Sequence, residues 1–395
     1  MEEWKEYQLK DVTTILGDGL HGTPEYDDNG TVFFINGNNL VNGKIEIKDS
    51  TKRVSKDEAN KYKKNLTERT ILVSINGTIG NVAKYKGEAC ILGKSACYFN
   101  VADNFDLNFI YYVVASQQFK DSMTRLATGT TIKNVSLETM RNYSFPAPSI
   151  NEQKRISAVL SSLDSKIELN RRINDNLEQQ AQALFKSWFV DFEPFKNGKF
   201  VESEIGMIPE GWKVGNLLDV AELSDSKRKP LSAMERSNMN KVYPYYGATS
   251  IMDYVDDYLF DGIYLLMGED GSVMTENGFP YLQYVSGKFW VNNHAHIMQG
   301  KNAFTTEMLH CLLFRKNISE FVTGAVQAKI SQNNMKRIKL AIAPANVLDS
   351  FSKLLDSIYS QIRQKKKESD VLCKKRDLLL PKLMSGKIKI NDLNS

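Results

Sequence analysis

The sequence is poor in the residues and motifs that most catalytic or membrane proteins carry. In 395 residues it holds four cysteines, Cys90, Cys97, Cys311 and Cys373, and four histidines. The cysteines lie far apart with no CxxC pair, which fits reduced thiols in a cytoplasm. No apolar run approaches the roughly 18 residues that a membrane helix needs. The opening MEEWKEYQLK has neither the basic nor the apolar region of a secretory signal. Excess charge is small, a net +4, so a nucleic-acid role has to come from local patches. Hydrophobic residues at 42% and charged residues at 25% exclude a disordered chain, a collagen and a disulfide scaffold.

Catalytic motifs are missing as well. No GxGxxG, GxSxG or HExxH occurs, nor an Asn/Asp-Pro-Pro-aromatic run of the kind that positions an exocyclic amine for methyl transfer. Gly87 to Ser95 resembles a phosphate loop, but five residues separate Gly87 from Gly93 where the cradle needs four. His294 and His296 alternate as on a strand, near Glu269 and Asp270. They can ligate a metal, but polar strand or loop histidines account for them more simply, and no metal is expected. Asp28 with Glu46-Ile47-Lys48 fits an acidic nuclease pattern only loosely.

What the chain does have is an internal repeat. Trp4-Lys5 with Leu9, Asp11 and Val12 recurs as Trp212-Lys213 with Leu217, Asp219 and Val220. Val32 and Gly37 recur as Val242 and Gly247, Gly77-Thr78-Ile79 as Gly271-Ser272-Val273, and Gly93-Lys94 as Gly287-Lys288. Thr128-Gly129 and Met140 recur as Thr323-Gly324 and Met335. Anchors in one order, with a single drop in offset, point to duplication with one loop deletion.

Each copy ends in a long helix. Ser149 with Glu152 fits a capping box after Pro146 and Pro148. Apolar steps of four and three then run through Ile156, Leu160, Leu163, Ile167, Asn170, Asn174, Leu177, Ala181, Leu184 and Trp188. The second helix begins near Asn346 and repeats the seam 195 positions later, through Phe351, Leu355, Ile358, Ile362, Lys365, Ser369, Leu372, Arg376, Leu379 and Leu383. Both are coiled-coil seams with two polar positions at mid-length, which fix register at some cost in stability. Seams of equal length and phase predict that the helices pack on each other, the alternative being each on its own globular half. Pro381 is expected to end or kink the second helix near Leu380.

The segments before the helices hold short β-rich runs, Val32–Ile35, Thr70–Ile75 and Tyr281–Val285, and short helical ones, 109–118 and 307–314. The fold class is therefore α+β: two pseudo-symmetric mixed α/β globular halves joined by two long antiparallel coiled-coil helices. The divisions are 1–148, the helix 149–191, a linker 192–208, 209–343, and the helix 344–395. The helix-pair interface is expected at Ile156, Leu160, Leu163, Ile167, Leu177, Leu184, Phe351, Leu355, Ile358, Ile362, Leu372 and Leu379.

Binding remains as the function. The loops carry Asn, Thr, Ser, Lys and aromatics, which suit base edges and phosphates, although the same residues also make ordinary turns. The DNA-contact candidates in the first half are His21, Thr23, Asn36, Asn38, Asn39, Thr78, Lys94, Thr130, Lys133 and Asn134. In the second half they are Lys227, Arg228, Lys229, Tyr246, Thr249, Ser272, Lys288, Asn292, Asn293, His294 and Lys329. Two other readings stay open: a nuclease or methyltransferase using Glu46, Lys48, Asp270 or the His294/His296 pair, and a coiled-coil adaptor without DNA specificity.

Residues 129–136, GTTIKNVS, followed by 145–156, FPAPSINEQKRI, carry a recognisable pattern. With Leu160, Asp164 and Ile167 and the passage LFKSWFVDFEPFKNGKFVESEIGMIPEGW, the chain resembles type I restriction–modification specificity subunits over essentially its whole length. The second boundary departs from the pattern, with Ala341-Ile342-Ala343-Pro344 and Leu348-Asp349. The resemblance implies two target recognition domains, each reading half of a split double-stranded DNA target, and a non-catalytic subunit. It also implies two methyltransferase partners that bind S-adenosylmethionine and methylate adenine, and restriction subunits that use ATP and Mg. A helix over 151–187 is about 55 Å long, enough to set half-sites about 34 Å apart.

Overall fold

The computed structural model describes residues 4–129, 131–324 and 326–390. The chain forms two compact units, Met1–Glu168 with Ser369–Ser395, and Leu169–Glu368. Two helices of 40 residues, Ile150–Phe189 and Ala345–Met384, each contribute one half to either unit. Every unit thus holds the start of one long helix and the end of the other.

In the first unit the strand Lys5–Gln8 pairs antiparallel with Ser144–Ala147, so the globular half is closed where its chain enters and leaves. Between them lies a four-stranded antiparallel sheet in the order Thr13–Asp18, Ala96–Val101, Thr70–Ser74, Val82–Lys84. A smaller sheet sets Val32–Ile35 parallel to Cys90–Leu92. The second unit repeats the plan. Lys213–Asn216 pairs with Lys339–Ile342, and Ala221–Leu223, Ala295–Gly300 and Phe260–Gly268 lie side by side. Tyr243–Tyr246 runs parallel to the end of Leu282–Val291. The short β runs read from sequence lie at Val32–Ile35, Thr70–Ser74 and Leu282–Val291. The helical runs lie at Leu107–Ala115, Gln117–Leu126 and Thr306–Leu313.

The helix stripes meet both partners considered for them. In the first unit Ile156 and Leu160 share one core with Leu383 of the second helix and with Phe109 and Val113 of the globular half. Leu163, Ile167, Leu372 and Leu379 are only half-buried. In the second unit Leu177, Phe351, Leu355 and Ile362 join Met308 and Leu309 in the core, and Leu184 and Ile358 pack partly against it. Phe185, Phe189 and Tyr359 are buried there although the seam skips them. Steps of four from Leu177 to Phe189 overshoot the 3.6-residue turn and sweep around the helix, because this stretch faces a globular core as well as a helix. Asn170 is fully buried at mid-helix, and the Asn174 amide donates to the Ile362 carbonyl at 3.4 Å. Across the helix pair in the first unit, Arg376 donates to Asp164 at 2.9 Å, and Asp164 also accepts the Tyr112 hydroxyl at 2.6 Å.

Of the end or kink expected at Pro381, the end is corrected, and the stretch expected as a linker is folded. The second helix runs through Pro381 to Met384 without ending at Leu380. Pro381 sits in the last turn, where only one backbone bond is lost. The stretch 192–208 is folded, with a hairpin of Phe200–Ser203 and Gly206–Pro209. Phe189, Phe192 and Phe195 surround Trp212 at centroid distances of 5.5, 5.3 and 5.2 Å.

Trp4, the counterpart of Trp212, meets Gly386 at φ +68°, where a Cβ would lie 3.0 Å from the indole. The described start and end of the chain are therefore neighbours. A permutant opened at the Glu204–Ile205 turn, with the old ends joined by a flexible Gly/Ser linker, is expected to melt within a few degrees of the parent. Loss of the cooperative circular-dichroism transition would contradict this.

Candidate nucleic-acid interface

In the first unit several hydrogen bonds gather loops far apart in sequence. The Gly37 amide donates to Ser95 Oγ at 2.9 Å, and that hydroxyl donates to Asn36 Oδ1 at 2.9 Å. Ser74 and Thr78 share a hydroxyl contact of 3.0 Å. Asn76 Nδ2 donates to Asn134 Oδ1 at 3.3 Å, and the Val135 amide donates to the Ile75 carbonyl at 2.8 Å. The Leu20 amide donates to the Leu92 carbonyl at 2.7 Å, and Leu20 bridges to Gly93, so the loop that starts with His21 leaves from beside the Gly93-Lys94 turn. Gly93 is required by this closeness, because a Cβ there would sit 2.2 Å from Asn36 Oδ1.

These loops present His21, Thr23, Asn38, Thr78, Lys94, Lys133 and Asn134 as exposed residues. His21 pairs with Asp18 at 2.6 Å, and the Asn38 carbonyl accepts Lys48 Nζ at 2.8 Å. Asn39 is corrected to a turn residue. It is 4% exposed, and its amide donates to the Glu46 carbonyl and to Thr51 Oγ1, both at 3.0 Å. Asn36 is half-buried and engaged with Ser95. Thr130 lies outside the described residues. Ser95, whose hydroxyl ties the Asn36–Gly37 loop to its own, and Ser74, whose hydroxyl holds the 74–78 loop, were missed; single serines in strand-like segments carry no spacing signal.

The second unit has the same joints. The Glu269 amide donates to the His294 carbonyl at 2.8 Å, and the Ile330 amide donates to the Glu269 carbonyl at 2.9 Å. The Asn292 amide donates to the Tyr246 carbonyl at 3.0 Å, as Gly93 does to Ile35 at 2.8 Å. Asn292-Asn293 is therefore the structural counterpart of Gly93-Lys94, and the sequence match to Gly287-Lys288 is corrected. Lys288 lies opposite Asp261 in the Phe260–Gly268 pairing, with its ammonium 4.3 Å from the Tyr258 ring centroid.

Exposed here are Lys227, Lys229, Thr249, Ser272, Asn293, His294 and Lys329. His294 pairs with Asp270 at 2.5 Å, and Lys329 Nζ lies 3.4 Å from Glu269. Tyr246 and Asn292 are corrected to interior residues, 7% and 4% exposed. Asn292 Oδ1 accepts the His294 amide at 2.8 Å, capping the loop from within. Arg228 is also withdrawn from the surface. Its guanidinium bonds Glu269 and donates to the Asn293 and Ala295 carbonyls at 3.2 and 2.9 Å, and Nε donates to the Asp225 carbonyl at 2.9 Å.

Asp225, Glu269 and His296 have donor types that suit a metal, but these atoms are committed to one another and to Arg228. His296 and His294 do not act as a pair. His296 is buried, with Nδ1 2.6 Å from Asp225 and Nε2 2.8 Å from the Ile330 carbonyl. A carbonyl and a carboxylate both accept, so both ring nitrogens donate, as in imidazolium. Burial opposes that charge, but the Asp225 hydrogen bond and attraction outweigh it and hold His296 above its usual range. Burial also opposes the Asp225 charge, and His296 keeps its carboxyl below the usual range nonetheless.

The comparisons agree with the duplicated plan. The family described as "Type I restriction modification DNA specificity domain" matches residues 1–179 and 209–372. The MjaIX type I restriction enzyme specificity subunit of Methanocaldococcus jannaschii is 25% identical over 99% of this chain and 95% of its own length. A putative type I restriction enzyme specificity subunit of Haemophilus influenzae is 35% identical over 41% of this chain and 40% of its own. The solved structure of the type I restriction–modification S subunit from M. genitalium matches with a TM-score of 0.52 at 20% identity, covering 97% of this chain and 96% of that one. No helix among the described residues is long and apolar enough to cross a membrane.

Proposed function

The chain belongs to the family of type I restriction–modification specificity subunits, non-catalytic parts of those systems, and from that premise we propose that each globular half reads one half of a split DNA target. The observation that carries this is the matched joint. In both units the same backbone bonds, Ile75 with Ser95 and Val135, and Glu269 with His294 and Ile330, gather three loops at one end of a sheet. The side chains they expose differ, with Thr78, Lys94 and Lys133 in one unit and Asn293, His294 and Lys329 in the other. A shared frame with different exposed donors is suited to reading two different half-sites.

The helix pair docks two adenine methyltransferase subunits that bring S-adenosylmethionine, and through them restriction subunits that bring ATP and Mg. Methylome sequencing tests this reading in cells holding the neighbouring methyltransferase with and without this chain. Methylated adenines in a split motif are expected only when the chain is present. No new methylation from an assembled complex overturns it.

The long helices also set the spacer between half-sites. A 40-residue helix spans about 60 Å. Four residues added to each helix lengthen it by about 6 Å. The preferred spacer is then expected to grow by about one or two base pairs, at roughly 3.4 Å each. An unchanged spacer in the methylome of that variant refutes the ruler.

A further inference from the structure

Part of the charged cluster of the second unit has a counterpart in the first: two positions are apolar there, and the third keeps an aspartate, Asp18, which pairs with His21 at 2.6 Å. The Glu269 amide bonds the His294 carbonyl as the Ile75 amide bonds the Ser95 carbonyl, at 2.8 and 3.0 Å. Ile75 therefore stands where Glu269 stands. Two residues after those carbonyls come His296 and Cys97. Asp18 lies opposite Cys97 in the strand pairing, and Asp225 follows the pair Leu223 with Met298 to meet His296. Ile75 and Cys97 are 3% and 0% exposed and belong to the first unit's core.

The first unit thus closes this junction with an isoleucine and a thiol where the second has Glu269 and His296, while it keeps an aspartate, so the shared frame does not itself call for Glu269 and His296. Stability does not explain them either. Replacing a buried ionic network by apolar side chains of similar volume is commonly neutral or stabilising. What the charges add is direction. Arg228 grips the main chain of the loop 293–295 at two carbonyls and is itself held by Glu269. His296 donates to the Ile330 carbonyl, and Asp225 accepts the Ile297 amide at 2.9 Å and Gln332 Nε2 at 2.7 Å. One network therefore fixes the roots of every segment that exposes Lys227, Asn293, His294 and Lys329. A guanidinium fork does this with fixed geometry, which an ammonium cannot copy.

We propose that Arg228, held by Asp225, Glu269 and His296, is a positioning residue that sets which bases the second globular half accepts, acting through the main chain of Asn293 to Ala295. This rests on the reading of that half as a half-site reader. It makes no use of Arg228 as a DNA contact.

The test compares methylomes and melting curves of the assembled methyltransferase complex carrying wild-type chain, Arg228→Lys, or the triple change Arg228→Met, Glu269→Ile and His296→Cys. The triple variant gives the second unit the first unit's residues at two of the three positions. It leaves Asp225 buried with only the Ile297 amide and Gln332 as partners, so it is expected to melt below the wild-type temperature, and its methylome is read where the melting curve shows it folded. The half-site read by the first unit stays intact, while preference for the native bases in the other half falls about ten-fold at one or more positions. Arg228→Lys, which keeps the charge, is expected to relax the same half-site with unchanged melting. A full wild-type motif from either folded variant overturns the proposal. Equal relaxation of both half-sites overturns it too, since the network touches only one unit. A wild-type complex that methylates no split motif overturns the underlying reading of the halves, and the proposal with it.

Discussion

Phe351→Ala is expected to destabilise the Leu169–Glu368 unit by about 3–5 kcal/mol. Phe351 is fully buried. Its ring meets Phe189 at 4.8 Å, Trp188 at 5.2 Å and Phe185 at 6.0 Å, centroid to centroid. Those rings belong to the first long helix and Phe351 to the second, so one truncation opens a cavity in the contact between helices and in the globular core together. For a unit of this size the melting temperature should fall by roughly 10 °C. Trp188 and Trp212 lie in the same aromatic cluster, so urea unfolding followed by tryptophan fluorescence reads the loss directly. Phe351→Leu, which keeps most of the volume, should lose far less. A loss under about 1 kcal/mol for the alanine variant would mean that the surrounding rings collapse into the gap.

Acid should weaken the same unit. His310 is buried between the Thr306–Leu313 helix and the second long helix, with Nδ1 2.8 Å from the Tyr359 hydroxyl. Burial lowers its pKa from 6.5 to about 4. Between those values the unfolded chain binds a proton that the folded chain refuses. The neutral imidazole therefore contributes stability above pH 6.5 that is lost progressively down to about pH 4. The full loss is about 3 kcal/mol. His296 works in the opposite direction. Its pKa is raised in the fold, so its contribution is complete below its unfolded value and fades as pH climbs through the folded one. Unfolding of wild type and His310→Gln across pH 4–8 separates the two. The variant keeps a polar group near Tyr359 and should lose most of the acid slope. An acid slope that survives in His310→Gln would assign it to other groups.

The periodic features were legible in the sequence because they depend on neighbours along the chain. The seam from Ile156 to Trp188 and its repeat from Phe351 to Leu383 mark two amphipathic helices, and the structure has helices there. The matched tryptophans, Trp4 and Trp212, mark the entrance of each globular copy, where Lys5–Gln8 and Lys213–Asn216 close onto the last strand of that copy. What the stripes pack against was not legible. Leu177 to Phe189 follow steps of four because Trp212 and the globular core lie against them, and the aromatic residues Phe192 and Phe195 turn a presumed linker into part of that core.

The site residues were legible as types and not as roles. Asn39, Asn292 and Arg228 have the same polar atoms whether they face a base edge or the main chain, and here Asn39 and Arg228 donate to the Glu46 and Asn293 carbonyls while Asn292 accepts the His294 amide. Lys94 and Asn293 stand at equivalent places despite unlike neighbours, and only the bonds of Gly93 to Ile35 and Asn292 to Tyr246 reveal it. The duplication, the two long helices and the membership of the family are all written in local periodicity and ordered motifs along the chain. The tertiary structure alone decided which loop residues are exposed. That choice is made by hydrogen-bond partners such as Asn36 with Ser95 and Arg228 with Ala295, which are separated by 59 and 67 positions and are coupled by folding rather than by spacing.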